Sequence, residues 1–362
     1  MCYNCSTGTD PGREFRSNQR RPQAKVSVPL LHARRGADYC AMRRTCTYVA
    51  VLGLVGVACR DRTAEGSSVR GNRPDTVIVY LAASLSKPLQ ATLDTFSRRT
   101  SIIVQRESGA SLEHARKLTD LGRIPDVLAL ADVEVFPQLL MPKHVSWYAE
   151  FARNRMIIGY TDRSRGASQI DSSNWRRVLA QPGVEVGRPD PNLAPAGYRT
   201  LLMLQLAERH YHDSGLANRI LANAPPKNMR PNAAELAALL QTGELDYVFD
   251  YESVAQAYSF HALRLPAAID LGDPTRETEY ARATVRVKGT GADSTTFTGR
   301  PIVYALSVPR AAPHPSAARQ LAEFLLSSNG SRLMRAAHVD ALDHALFVGA
   351  DVPAGLRDAA GR

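Results

Sequence analysis

The chain has 362 residues, 44% of them hydrophobic and 22% charged, the balance of an ordinary water-soluble globular protein. Its formal net charge of +10 would suit a nucleic-acid partner, but 13 basic and 5 acidic residues fall within positions 1–73, leaving 32 and 30 beyond. Most of the chain is therefore close to neutral, and no basic nucleic-acid-binding face is required.

Residues 1–41 are rich in Arg, poor in aromatics and without apolar periodicity, the composition of a disordered segment. All five cysteines, Cys2, Cys5, Cys40, Cys46 and Cys59, lie at or before position 59. The chain beyond Cys59 has neither a disulfide framework nor a thiolate metal site. Met42, Arg43 and Arg44 open a short basic region, and Thr47 to Ala58 is apolar but too short to cross a bilayer as an ordinary helix. A basic start, an apolar middle and small residues (Gly56, Val57, Ala58) before a cleavage point describe a secretory signal. Ending on Cys59, it resembles a bacterial lipoprotein signal, which implies cleavage and lipidation at Cys59. The expectation is a start at Met42, a signal over 42–59, a polar tether over 60–73, and an exported protein anchored at the periplasmic or cell surface.

Beyond the tether, Thr76 to Leu81 is a continuous apolar run, as expected of a strand buried on both faces. An amphipathic stretch comes next over Leu89 to Phe96, then a strand over Ile102 to Gln105 and a helix from Ser111 through Leu118. Asp126 to Leu130 is a third strand and Met156 to Tyr160 another. Val184 to Gly187 leads into a Pro-rich loop, Arg188 to Gly197, and then a helix with Tyr198, Leu202 and Leu206 on one face. Ala233 to Leu240 reads as helix, Leu245 to Phe249 and Pro301 to Val308 as strands, and Ser316 to Leu326 as a late helix. Alternating strands and helices predict an α/β fold with a largely parallel sheet, whose ligands sit beyond the strand carboxyl ends. Ser84, Ser111 and the Asp190–Tyr198 loop all fall in such places.

Several stretches together carry a family likeness: Ala82 to Leu85, Asp126 to Asp132, Phe151 to Asn154, Tyr160 to Ser164, Asn174-Trp175, Asp190 to Asn192, Gly197 to Arg199 and Tyr251 to Ala255. In this order and spacing they resemble the archaeal-type tungstate/molybdate-binding proteins, from about Thr76 to Arg335. The resemblance implies a two-lobed periplasmic binding protein fold (type II) with the ligand between the lobes. It assigns 74–157 and 300–350 to lobe 1 and 158–299 to lobe 2. It also implies a monomer that delivers molybdate or tungstate to an ABC permease in the membrane, with no cofactor and no catalysis.

In that family two serines meet the oxyanion, matching Ser84 and Ser111. Archaeal-type members add an Asp and a Glu that complete a six-coordinate metal centre, but this chain has Ala194 and Ala233 at those positions. The run Ala194 to Tyr198 instead resembles the loop of bacterial molybdate-binding proteins, which hold the anion as an unmodified tetrahedron. The implied contacts are Ser84, Ser111, Ala196, Ala233 and Tyr251, with Ala83, Ala194 and Asp190 as further candidates and no protein group bonded directly to the metal.

The residues support this without the family. Neutral dipoles can hold a dianion where helix N-termini and hydroxyls converge, and Ala196-Gly197, equally a tight turn with no ligand, allows close backbone approach to an anion. Read singly, each serine is equally a helix N-cap, Tyr251 a core aromatic, Asp190 a turn cap and Asp250 a solvated strand end. Arg199 reads as a supporting residue. Molybdate, tungstate and sulfate carry no proton at neutral pH, so a site without a strong acceptor suits them better than phosphate. Sulfate, another oxyanion, or an anchored ligand sensor remain the alternatives. No Gly-x-Ser-x-Gly, His-Glu-x-x-His or P-loop motif points to an enzyme.

Overall fold

The computed structural model describes residues 75–289 and 294–360. The signal, Cys59, the tether and residues 1–41 lie outside the described residues. The apolar run at the start of this region becomes β1 (Thr76–Ala82), with Val77, Val79 and Leu81 fully buried. It pairs in parallel with β2 (Ile103–Gly109) and with β3 (Val127–Leu130). The chain then forms β4 (Trp147–Asn154), and a single residue, Arg155, separates this from β5 (Met156–Tyr160) in a second sheet.

The second sheet adds β6 (Val186–Pro189), β7 (Met229–Arg230), β8 (Tyr247–Tyr251) and β9 (His261–Arg264), in the order β7-β6-β8-β5-β9. A hairpin of β10 (Thr284–Lys288) and β11 (Ser294–Thr298) packs onto this lobe, its Phe297 stacked on Tyr198 at 4.5 Å. The chain returns to the first sheet through β12 (Ile302–Ser307) and β13 (Asp340–Gly349), giving β13-β4-β12-β3-β1-β2. Each sheet anchors one lobe of a two-lobed α/β protein. The outgoing and returning connections lie side by side: Met156 N–H donates to the Asp270 carbonyl at 2.7 Å, and Ile302 N–H to that of Leu271 at 2.8 Å.

The sheets are mixed rather than largely parallel. In the first, β12 runs antiparallel to β3 and β4, and β13 to β4; in the second, β5 runs antiparallel to β8 and β9. Parallel neighbours need a long crossover, usually a helix. The strands that carry the chain between lobes have no such crossover, and they run against their neighbours. The parallel character survives where strands feed helices, at β1, β2 and β3 and at β6 and β8. Among the described residues, no helix is long and apolar enough to cross a membrane.

Candidate functional site

The carboxyl ends of β1, β2, β3, β6 and β8 meet around one small cavity, lined by Ala82, Gly109, Ala131, Pro189 and Tyr251 at or just beyond those ends. This is where an open α/β sheet presents its ligand site. The cavity measures about 20 Å³, on a scale where roughly 10–15 Å³ admits one water. It has room for an ion of a few atoms and none for a sugar, amino acid or peptide. Among the described residues, no lysine or arginine lines it.

Among the described residues, four helices begin at this cavity: Ala83–Ser86, Ser111–Thr119, Pro195–His210 and Ala233–Thr242. The first-turn N–H groups of a helix have no partner within it, and the helix dipole adds positive character there. A Ser, Thr, Asp or Asn at the N-cap would ordinarily answer those donors. Here the N-caps of the first three helices are Ala82, Ala110 and Ala194, none of which can. In the Pro195–His210 helix, Pro195 has no N–H and Gly197 N–H turns back to the Ala194 carbonyl at 2.9 Å, so the donor left for the cavity is Ala196 N–H. At the fourth helix, Asn232 caps Glu235 N–H at 3.1 Å, beyond the first-turn donor of Ala233.

Both serines are buried, and each already accepts a hydrogen bond from the protein. Ser111 Oγ accepts from Ala131 N–H at 3.0 Å. Ser84 Oγ accepts from Tyr304 O–H at 3.2 Å, and Tyr304 Oη in turn accepts from Asn154 Nδ2 at 2.7 Å. With the oxygens engaged as acceptors, each serine keeps its own O–H to donate into the cavity. Aligned chains of this kind polarise one another and strengthen the last donor. Tyr251 Oη and Asp250 Oδ2 are also buried at the cavity without a hydrogen-bond partner among the described residues. Burial pushes the Tyr251 phenol well above its ordinary range, so it remains a donor.

Ser84, Ser111, Ala196, Ala233 and Tyr251 thus line one cavity, together with Ala83 and Ala194. Asp190 does not line it: its Oδ1 accepts from Asn192 N–H at 2.8 Å and from Asn192 Nδ2 at 3.1 Å, the turn-capping role. A Cβ at Gly197 would lie 2.5 Å from the Pro189 carbonyl oxygen, so its missing side chain admits the neighbouring loop rather than an anion. Asp250 is no solvated strand end, being only 1% exposed.

The partner of Arg199 was not legible in the sequence. Its guanidinium reaches from the second lobe to Asp132, just beyond β3 in the first, with Nη2 at 2.7 Å and Nε at 3.2 Å from Oδ2. Tyr198 O–H donates to the same carboxylate. Burial alone would lower the Arg199 guanidinium, but the Asp132 carboxylate more than offsets this and holds it charged. Leu112 N–H, donating to the Leu193 carbonyl at 3.1 Å, is a second bond between the lobes at the rim. Gly197-Tyr198-Arg199 after the Pro-rich loop, set against Asp132 at a strand end, was the available signal, but no spacing in the chain pairs residues of different lobes.

Two lobes joined by paired crossings, with a small donor-lined cavity at the strand ends, define a solute-binding protein. Comparison with known proteins agrees. Residues 77–339 match the model of the bacterial extracellular solute-binding protein family, and the chain belongs to that family. An uncharacterized solute-binding protein of Petrotoga mobilis is 40% identical over 260 residues, covering 71% of this chain and 81% of the relative. A protein of Pyrococcus abyssi named molybdate/tungstate-binding protein WtpA is 31% identical over 304 residues, covering 76% and 88%. Among solved structures, the sulfate-binding protein SubI of Mycobacterium tuberculosis superposes with a TM-score of 0.52 at 16% identity, covering 78% of this chain and 90% of that one, a likeness of fold.

The Asp132–Arg199 pair is buried, and removing one partner strands the other charge. Asp132→Ala or Arg199→Ala is expected to cost about 3–5 kcal/mol, read as a lower urea midpoint. Replacing both, by Asp132→Leu with Arg199→Met, is expected to cost less than either single change. A double variant as damaged as the two singles summed would show that the groups do not depend on one another.

Proposed function

We propose that this chain captures molybdate or tungstate outside the cytoplasm as an intact tetrahedral dianion and passes it to an ABC permease. The observation that carries the reading is the set of donors around the small cavity: alanine-capped helix starts together with the hydroxyls of Ser84, Ser111 and Tyr251. Such a site offers hydrogen bonds at fixed angles to an anion that only accepts them. The proposed contacts are the hydroxyls of Ser84, Ser111 and Tyr251, with backbone N–H groups at Ala196 and Ala233 and near Ala83. Ala194 and Ala233 place no carboxylate against the anion, so the metal keeps its four oxygens. The 31% identity with a protein named for molybdate and tungstate supports these ions over sulfate. Recognition of one small ion between two lobes by a monomer, with no reaction to perform, fits this site.

Thermal unfolding in the presence of molybdate, tungstate, sulfate and phosphate tests the reading. Ligand at a thousandfold its Kd stabilises by about 4 kcal/mol, a rise in Tm on the order of several degrees for a protein of this size. Molybdate and tungstate are expected to give the rise. Stabilisation by sulfate or an organic solute alone would refute the assignment. Ser84→Ala and Ser111→Ala each remove one hydrogen bond to a charged ligand, so each is expected to weaken molybdate binding by about 1.5–3 kcal/mol, measured by calorimetry.

We also propose that Cys59 carries a lipid that tethers the protein at the outer surface of the membrane. Cys59→Ser is expected to accumulate uncleaved precursor or to release protein from the membrane fraction. Unchanged processing and fractionation would assign the anchor elsewhere.

A further inference from the structure

The ionisable side chain at the cavity that the donor set does not use is Asp250. It sits on β8, a residue before Tyr251, and lines the cavity while almost wholly buried. Its Oδ1 accepts from the Tyr251 N–H at 2.8 Å, and Oδ2 has no partner among the described residues. An ionised carboxylate facing a bound dianion would repel it, and in a buried site that repulsion is weakly screened. A protonated carboxyl instead presents one more O–H.

We propose that Asp250 binds the oxyanion as a neutral carboxylic acid, donating its proton from Oδ2 to a ligand oxygen, so that capture of the dianion takes up a proton from solution. The inference rests on the oxyanion-binding reading of this cavity.

The surroundings favour the neutral form. Burial raises the Asp250 carboxyl and the Tyr251 N–H opposes this, leaving it at about 7. The neighbouring titratable groups are the phenols of Tyr251, of Tyr258 on the following helix and of Tyr304 on β12, all pushed upward by burial and so uncharged. Lys87 of the first lobe lies over the Tyr258 ring, 4.8 Å from its centre. Arg264 on β9 is engaged by Glu252 at 2.6 Å. A dianion then raises Asp250 further, so the complex holds the proton more tightly than the free protein. Affinity is therefore at its full value below the free-state pKa and declines as pH rises above it.

Titration calorimetry with molybdate, in pairs of buffers of unequal ionisation heat, reads this directly. Uptake of about one proton per molybdate is expected at pH 8.5 and little at pH 6, with affinity falling by up to about tenfold per pH unit above 7. Asp250→Asn keeps an N–H donor that does not titrate, and its affinity is expected to be level across that range, whatever its absolute value. Binding of molybdate by the unmodified protein without proton uptake overturns the inference and leaves the oxyanion reading intact. Failure to bind any tetrahedral oxyanion overturns both. Proton uptake that persists in Asp250→Asn assigns the proton to another group and likewise rejects the proposal.

Discussion

A helix that starts in the protein interior with alanine at its N-cap has no side chain there to answer its first N–H groups, and any buried donor left without a partner costs free energy. Three of the four helices that begin at the cavity are built this way, through Ala82, Ala110 and Ala194. A protein with no ligand to satisfy would more economically place serine or aspartate there. The other features of the site depend on this constraint. The donors come from both lobes, so they converge only when the lobes meet, and Asp132 with Arg199 supplies a charged contact across the same junction.

The crossing between lobes is wired to the site. Asn154, the last residue of β4, donates through Nδ2 both to Tyr304 Oη and to Ser253 Oγ, each at 2.7 Å. Tyr304 belongs to the returning strand β12, and it passes its own hydrogen bond to Ser84. Ser253 is the second residue of the helix Glu252–Tyr258, which follows β8 on the other lobe. One amide side chain at the start of the crossing therefore holds both lobes and orients a donor of the cavity. This network is neutral throughout, as a site that relies on dipoles requires.

Much of this was legible in the sequence, and the losses have identifiable causes. The strand Met156–Tyr160 and the start of the helix at Ser111 matched residue for residue, because a buried apolar run and a change of period mark them clearly. β4 and β13 gave no such signal: β4 carries Glu150 and Arg153 among its apolar residues, and β13 is largely exposed. The hairpin of β10 and β11 alternates mainly Thr, Arg and Ser with single buried residues such as Val287 and Phe297, a pattern easily taken for loop. At the site, Ser84 and Ser111 stood at strand ends where the chain topology points to a ligand, whereas Tyr251 came only from the family resemblance. The Arg199–Asp132 pair and the burial of Asp250 were not legible, since both depend on packing between segments distant in sequence.

On the proposed reading, neutral donors hold the anion as an unmodified tetrahedron, with no protein atom bonded to the metal. X-ray absorption at the molybdenum edge of the molybdate-saturated protein tests this most directly. Four equivalent oxygens in tetrahedral geometry are the predicted result. A six-coordinate spectrum would mean that protein carboxylates, Asp250 foremost, complete the metal's shell, and it would contradict the account.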